Sequence, residues 1–218
     1  MNWIDFFILF VLFLALLSGY KRGAFKEIST FIGLIIGLIF AVSNADWLTT
    51  QLGGRINMSP SVLYVFSFII VFSVAMLILK LVGRYFYRLV KITPMSVPNK
   101  VFGGLFGAAK GLLALSLLFL LFVFPTPFKK LDMAIGESAM VKPVRGFAPI
   151  IYDNTPFFHP RSESFLTEIQ NGILLSNADL YAEDPQSALE DKTLLGMTDE
   201  DIETLTKLRE YFGKSEKK

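Results

Sequence analysis

The chain has no cysteine, a single histidine and, within its first 128 residues, only three acidic residues, Asp5, Glu27 and Asp46. Without cysteine there is no disulfide framework, thiolate metal site or cysteine nucleophile. The lone histidine, His159 in Pro156-Phe-Phe-His-Pro160, excludes an HExxH or Cys/His metal site and reads as a surface or packed residue. No Walker loop and no GxSxG element is present. Ser67, Ser73 and Ser116 fall in apolar runs that contain no histidine to act as base, and hydroxyls there commonly bond to their own helix backbone. No cofactor and no nucleic-acid partner is expected.

The scarcity of acids is confined to one half. Residues 1–128 carry ten Lys/Arg against those three acids, a net +7, whereas residues 129–218 carry eleven against sixteen, a net −5. The formal charge of +2 hides this division. With 53% hydrophobic residues, 22 phenylalanines and a mean hydropathy of +0.52, the chain is too apolar for an ordinary soluble domain. The expected organisation is a multi-pass transmembrane domain over 1–128, followed over 129–218 by a polar linker and a short helical tail.

Four runs carry the membrane reading. The first, 3–17, is interrupted only by Asp5 and is followed by its positive charges at Lys21 and Arg22, the order of a retained helix rather than a cleaved signal. The second spans 24–42 and the third 62–82, each long enough for a hydrocarbon core of ~30 Å. The fourth, from about Leu105 to Phe124, places Lys110 more than a turn inside, its ammonium able to reach back towards the headgroups. Pro125 and Pro127 end it. The fold class is thus an all-α integral membrane protein of about four transmembrane helices with a partly helical polar tail.

Lysine and arginine in short loops set orientation. Lys21, Arg22, Lys26, Arg84, Arg88, Lys91 and Lys100 fall on one side, and Arg55, Lys129, Lys130 and Lys142 on the other, which predicts that both termini are non-cytoplasmic. In the tail, six of the ten prolines lie between 125 and 161 and argue against long regular structure there. Beyond them, 164–175 places Phe165, Ile169 and Ile173 at helical spacing. The stretch 198–212 predicts a second helix, with Thr198 as cap, acids in its first turn, and Ile202, Leu205, Leu208 and Phe212 on one face. Lys214–Lys218 should fray.

Charges and glycines inside the runs are the sharper signals. Asp5 and Glu27 sit in the first turns of their helices, where they can compensate the helix dipole without a partner. Glu27 has an alternative: its depth matches that of Lys110, which allows an ion pair between the second and fourth spans. Gly103, Gly107 and Gly111 recur every fourth residue, as do Gly33 and Gly37, forming smooth stripes for close helix approach.

Asn2-Trp-Ile-Asp5, the Gly19-Tyr-Lys-Arg-Gly23 turn, Glu27 with Gly33, and Pro98-Asn-Lys-Val-Phe-Gly-Gly-Leu-Phe-Gly-Ala-Ala-Lys-Gly111 together resemble the colicin V production protein family over about residues 1–128. Asn99-Lys100 departs from the acidic or arginine residue usual before the glycines. The resemblance implies a bacterial inner-membrane protein of cell-envelope processes or toxin production and secretion, with no established catalytic reaction. It marks Asp5, Gly19, Gly23, Glu27, Gly103, Gly104, Gly107, Lys110 and Gly111 as the positions that matter. The expected partners are the lipid bilayer and either a second copy or another membrane protein. The alternatives are an oligomeric channel or small transporter, lined by Glu27 and Lys110, and a membrane enzyme, for which no nucleophile and base are recognisable.

Overall fold

Apolar runs of this length must satisfy every backbone group internally once inside lipid, which leaves the helix as the local solution. The computed structural model describes residues 2–53, 58–89, 97–124, 129–159, 164–181 and 199–212, and every regular element among them is helical. In order these are α1 (Trp3–Arg22), α2 (Ala24–Val42), α3 (Ala45–Gly53), α4 (Pro60–Leu89), α5 (Val97–Leu121), α6 (Lys129–Glu137), α7 (Val141–Arg145), α8 (Phe147–Asp153), a 3-10 turn (Pro156–Phe158), α9 (Phe165–Tyr181) and α10 (Asp199–Phe212). Among the described residues, α1, α2, α4 and α5 are long and apolar enough to cross a membrane. The chain is a multi-pass membrane protein. Arg55, Lys91, the stops at Pro125 and Pro127, the Thr198 cap and the Lys214–Lys218 end lie outside the described residues.

Only Gly23 separates α1 from α2. Its φ of 81° and ψ of 160° are in a region closed to side chains with a Cβ, so a reversal in one residue requires glycine here. The two helices do not pair along their length. α1 packs chiefly on α5, α5 also packs on α2, and α2 packs on α4, so the order of closest packing is α1, α5, α2, α4. Phe6, Phe10 and Phe13 of α1 and Phe66, Ile70 and Leu77 of α4 stay exposed, as suits surfaces facing lipid.

The spans differ from expectation mainly at their ends. α4 and α5 begin earlier than the strictly apolar runs, and the 43–61 connection contains α3, whose polar composition hid it from a search for spans. The proline-rich linker is helical in short pieces. Pro143 and Pro149 stand in the first turns of α7 and α8, and Pro156 opens the 3-10 turn, positions where no backbone donor is lost.

The tail folds back on the spans. Phe165, Ile169 and Ile173 of α9 and Leu208 of α10 belong to one buried cluster with Leu38, Tyr64, Phe68, Leu113 and Leu117. Gly172 of α9 lies against the Tyr64 ring, where a side chain would collide. The Asp153 carboxylate accepts from Phe165 N–H at 2.9 Å and caps α9, while Asp201 of α10 accepts from Ser61 N–H at 3.2 Å and caps α4. All of this happens at one end of the array. The opposite end carries the exposed Lys21, Arg22 and Lys26.

Candidate functional site

The glycine stripe of α5 is taken up within the chain, and its partner is α1. The two helices run antiparallel, with Gly103, Gly107 and Gly111 facing Gly23, Gly19 and Ala15. A methyl group added at Gly107 would sit 2.8 Å from Gly19 Cα, and one at Gly103 would sit 2.8 Å from Gly23 Cα. A methyl group at Gly111 would meet Ala15 Cβ at 2.7 Å, and one at Gly19 would strike the Gly103 carbonyl. The obstacles are mostly backbone, which cannot swing aside as a side chain can. Gly104 differs: its nearest neighbour would be Leu16 O at 3.6 Å, ordinary contact. Gly104→Ala should therefore leave the apparent melting temperature in mild detergent within a degree or two of the parent, while Gly103→Ala lowers it clearly. The second stripe is not one surface. Gly37 faces Met76 and Phe72 of α4, whereas no atom of the described residues stands within 4 Å of a Cβ placed at Gly33.

At the basic end of this seam the structure brings Glu27 and Lys110 together. Glu27 is fully buried, and its Oε2 accepts a hydrogen bond from Lys110 Nζ. Side chains on a helix lean towards its N-terminus, so Lys110 reaches down from the middle of α5 to the first turn of α2. Arg22, at the end of α1, places Nη1 at 3.6 Å from Glu27 Oε1, an ion pair too long to be a hydrogen bond. Among the described residues, Oε1 has no hydrogen-bond partner. One buried carboxylate thus faces two cations, of which Lys110 is about one-quarter exposed (23%) and Arg22 about half (51%). The cluster joins α1, α2 and α5.

Two of its supports were not foreseen from the sequence. Arg22 counts there only as a loop charge, although its place next to the one-residue reversal at Gly23 was the available signal. Asn99 appears only as a departure from the family's usual residue. Its Oδ1 accepts from Ala24 N–H at 3.1 Å, so α5 supplies a cap for α2, whose own cap position is a glycine without a side chain.

Asp5 lies at the other end of the array, away from Glu27. The expectation that it needs no partner is corrected: Asp5 is buried, and burial of an unpartnered carboxylate would be costly. Its Oδ2 accepts from Asn2 N–H at 2.7 Å, closing a capping box on α1, and its Oδ1 accepts from Ser138 Oγ and from Met140 N–H at 3.1 Å. Asn2 Nδ2 also donates to Ala134 O at 2.9 Å. The start of α1 is thus fastened to the α6–α7 connection. Asp5→Asn should speed limited proteolysis between α6 and α7 severalfold, because a neutral amide is a weaker acceptor for both donors; an unchanged cleavage rate would refute the role of this contact. His159, read as a surface or packed residue, is packed: its ring stacks on Tyr152 at 4.1 Å and Nε2 donates to Tyr152 O at 2.9 Å.

The family described as colicin V production protein matches residues 4–149. The match reaches past the fourth span through α6 and α7 into α8, beyond the limit near 128 set by the sequence resemblance. It therefore includes Ser138 and Met140 as well as the glycine seam and the charge cluster. No curated protein and no solved structure matches the chain.

Proposed function

The chain belongs to the colicin V production protein family, and from that premise we propose that it is a non-enzymatic protein of the bacterial inner membrane, acting in cell-envelope processes or in toxin production and secretion. In this reading the spans form a self-contained platform, and the tail helices packed on one end of it meet a partner outside the cytoplasm. The observation that carries the reading is the polarity of the array: α8, α9 and α10 fold onto the end opposite Lys21, Arg22 and Lys26. The excess of Lys and Arg belongs on the cytoplasmic side, which puts the tail and both termini across the membrane from it. Because α1 fills the α5 stripe, self-association, or contact with another membrane protein, uses a different face.

A C-terminal phosphatase that is active only outside the cytoplasm tests the orientation. It should be active, and a fluorescent protein fused at the same place should stay dark; the reverse pattern overturns the reading. For the role itself, deletion of the chain in a colicin V-producing strain should reduce released toxin, and the full chain should restore it where a chain ending at residue 128 does not. Undiminished release after deletion would refute a part in toxin production.

The buried Glu27 between Lys110 and Arg22 favours a second reading, an oligomeric channel or small transporter with this cluster on its path. Ion or solute flux through vesicles containing the purified chain, abolished by Glu27→Gln, would support it; vesicles as tight as protein-free controls would exclude it.

A further inference from the structure

The α7–α8 segment, which follows the spans among the described residues, packs back against them. Ser116 lies five residues before the end of α5, ~7–8 Å along the helix axis. It is fully buried, and its hydroxyl donates to Arg145 O at 2.6 Å and accepts from Ala148 N–H at 2.9 Å. These two backbone groups flank Gly146, where α7 breaks into α8. A chain break exposed to water would have solvent for such groups, whereas one at hydrocarbon depth needs a protein partner. Ser116 supplies that partner.

The surrounding contacts lie within the last two turns of the spans. Val141 and Val144 of α7 are buried with Ile4 and Ile8 of α1 and Leu115 and Phe119 of α5. At the far end of α8, Tyr152 shares a buried cluster with Tyr64, in the second turn of α4. The α7–α8 unit therefore crosses the array within the last two turns of its spans. The stack of His159 on Tyr152 holds the Pro156–Phe158 turn at this level. On the outer side of the unit, Ile150, Phe157 and Phe158 are exposed, Phe157 by 87%. Phe157 and Phe158 meet edge to face at 5.5 Å, which gives a compact apolar tip rather than two independent side chains.

We propose that residues 141–158 are an interfacial membrane element, seated in the leaflet on the tail side, with Ile150, Phe157 and Phe158 in contact with acyl chains. The occupant of this surface is lipid because Ser116, which holds the α7–α8 break, lies five residues inside the end of a membrane-long helix, so the unit sits at the edge of the hydrocarbon rather than clear of it. Lys142 is exposed, and its long side chain can reach the headgroups from such a position. The apolar tip then fixes the depth at which the tail helices stand on the bilayer.

The cysteine-free full-length chain allows a direct test by single-cysteine nitroxide labelling in vesicles of phosphatidylethanolamine and phosphatidylglycerol. Labels at Phe157→Cys, Phe158→Cys and Ile150→Cys are compared with Phe6→Cys on α1 as the lipid reference and Glu203→Cys on α10 as the water reference, both exposed positions. Collision with oxygen relative to a water-soluble nickel chelate should be several-fold higher at the three test positions than at Glu203, and close to that at Phe6. A ratio at Phe157 and Phe158 equal to that at Glu203 overturns the proposal. Shielding from both reagents also overturns it, since the cover would then be protein. Should one variant fail to insert, the other two report on the same element.

Discussion

Gly107→Leu separates α1 from α5 and lowers the yield of monodisperse protein in mild detergent by roughly tenfold or more, a loss of ~1.4 kcal/mol for each factor of ten. The reason is the composition of the seam. Around Gly107 the opposing surface is Ala15 O and the Gly19 backbone, so an isobutyl group has no flexible side chain to push aside. Overpacking where neighbours can adjust costs ~1–3 kcal/mol, and a backbone wall places this site at the upper end or above. Helix association within lipid depends on such close contact, because lipid tails give no hydrophobic drive between helices. The loss should not be confined to α1. α5 carries Lys110, Asn99 and Ser116, so its displacement also strips Glu27, the α2 cap and the α7–α8 break of their partners. The measurement is size-exclusion profile and thermal stability beside Gly104→Ala; equal behaviour of the two variants would show that the seam is not tight.

The second large effect belongs to Glu27 and its two cations. Removing one member of a buried pair typically costs ~3–5 kcal/mol, with less expected for an exposed member that water and headgroups can solvate. Glu27→Gln leaves Lys110 and Arg22 facing the same neutral site without the anion that drew them in. Lys110→Gln leaves Glu27 with Arg22, which has only to close from 3.6 Å. The expected order is therefore unequal: Glu27→Gln loses more folded protein than Lys110→Gln. The double change recovers part of the loss, since neither charge of the direct pair is stranded. Thermal stability of the three variants in one detergent forms the double-mutant cycle. Strict additivity would mean that Glu27 and Lys110 are energetically independent, and would remove the main support for a channel lined by them.

Much of the candidate site could be read along the chain because each signal was local. The depth of Glu27 and Lys110 follows from counting residues inwards from the ends of their apolar runs, and that count allowed a pair between them as one of two readings of Glu27. The α5 stripe followed from the spacing of Gly103, Gly107 and Gly111. Its partner did not, although Ala15, Gly19 and Gly23 repeat the same spacing on α1; the turn reading of Gly19-Tyr-Lys-Arg-Gly23 absorbed that signal. Ser116 gave no sign of its use. A serine in an apolar run usually bonds to its own helix, and the backbone groups it serves here lie 29 and 32 residues later. Asp5 was misread for the same reason, since Ser138 and Met140 are 133 and 135 residues away.

By itself the sequence determined that the chain enters the membrane, where its spans fall and which end of the array is basic. These depend on the transfer free energy and charge of successive residues, quantities that add along the chain whatever the helices do next. The tertiary structure decided that α1 rather than another helix closes on the α5 glycines, that Arg22 joins Glu27 and Lys110, and that α7–α8 crosses the array against Ser116. Those choices turn on the order of the helices and the rotation of each about its axis. Both are fixed only when whole faces compete for contact, because a helix of the same apolar content can present any side to lipid at nearly the same free energy.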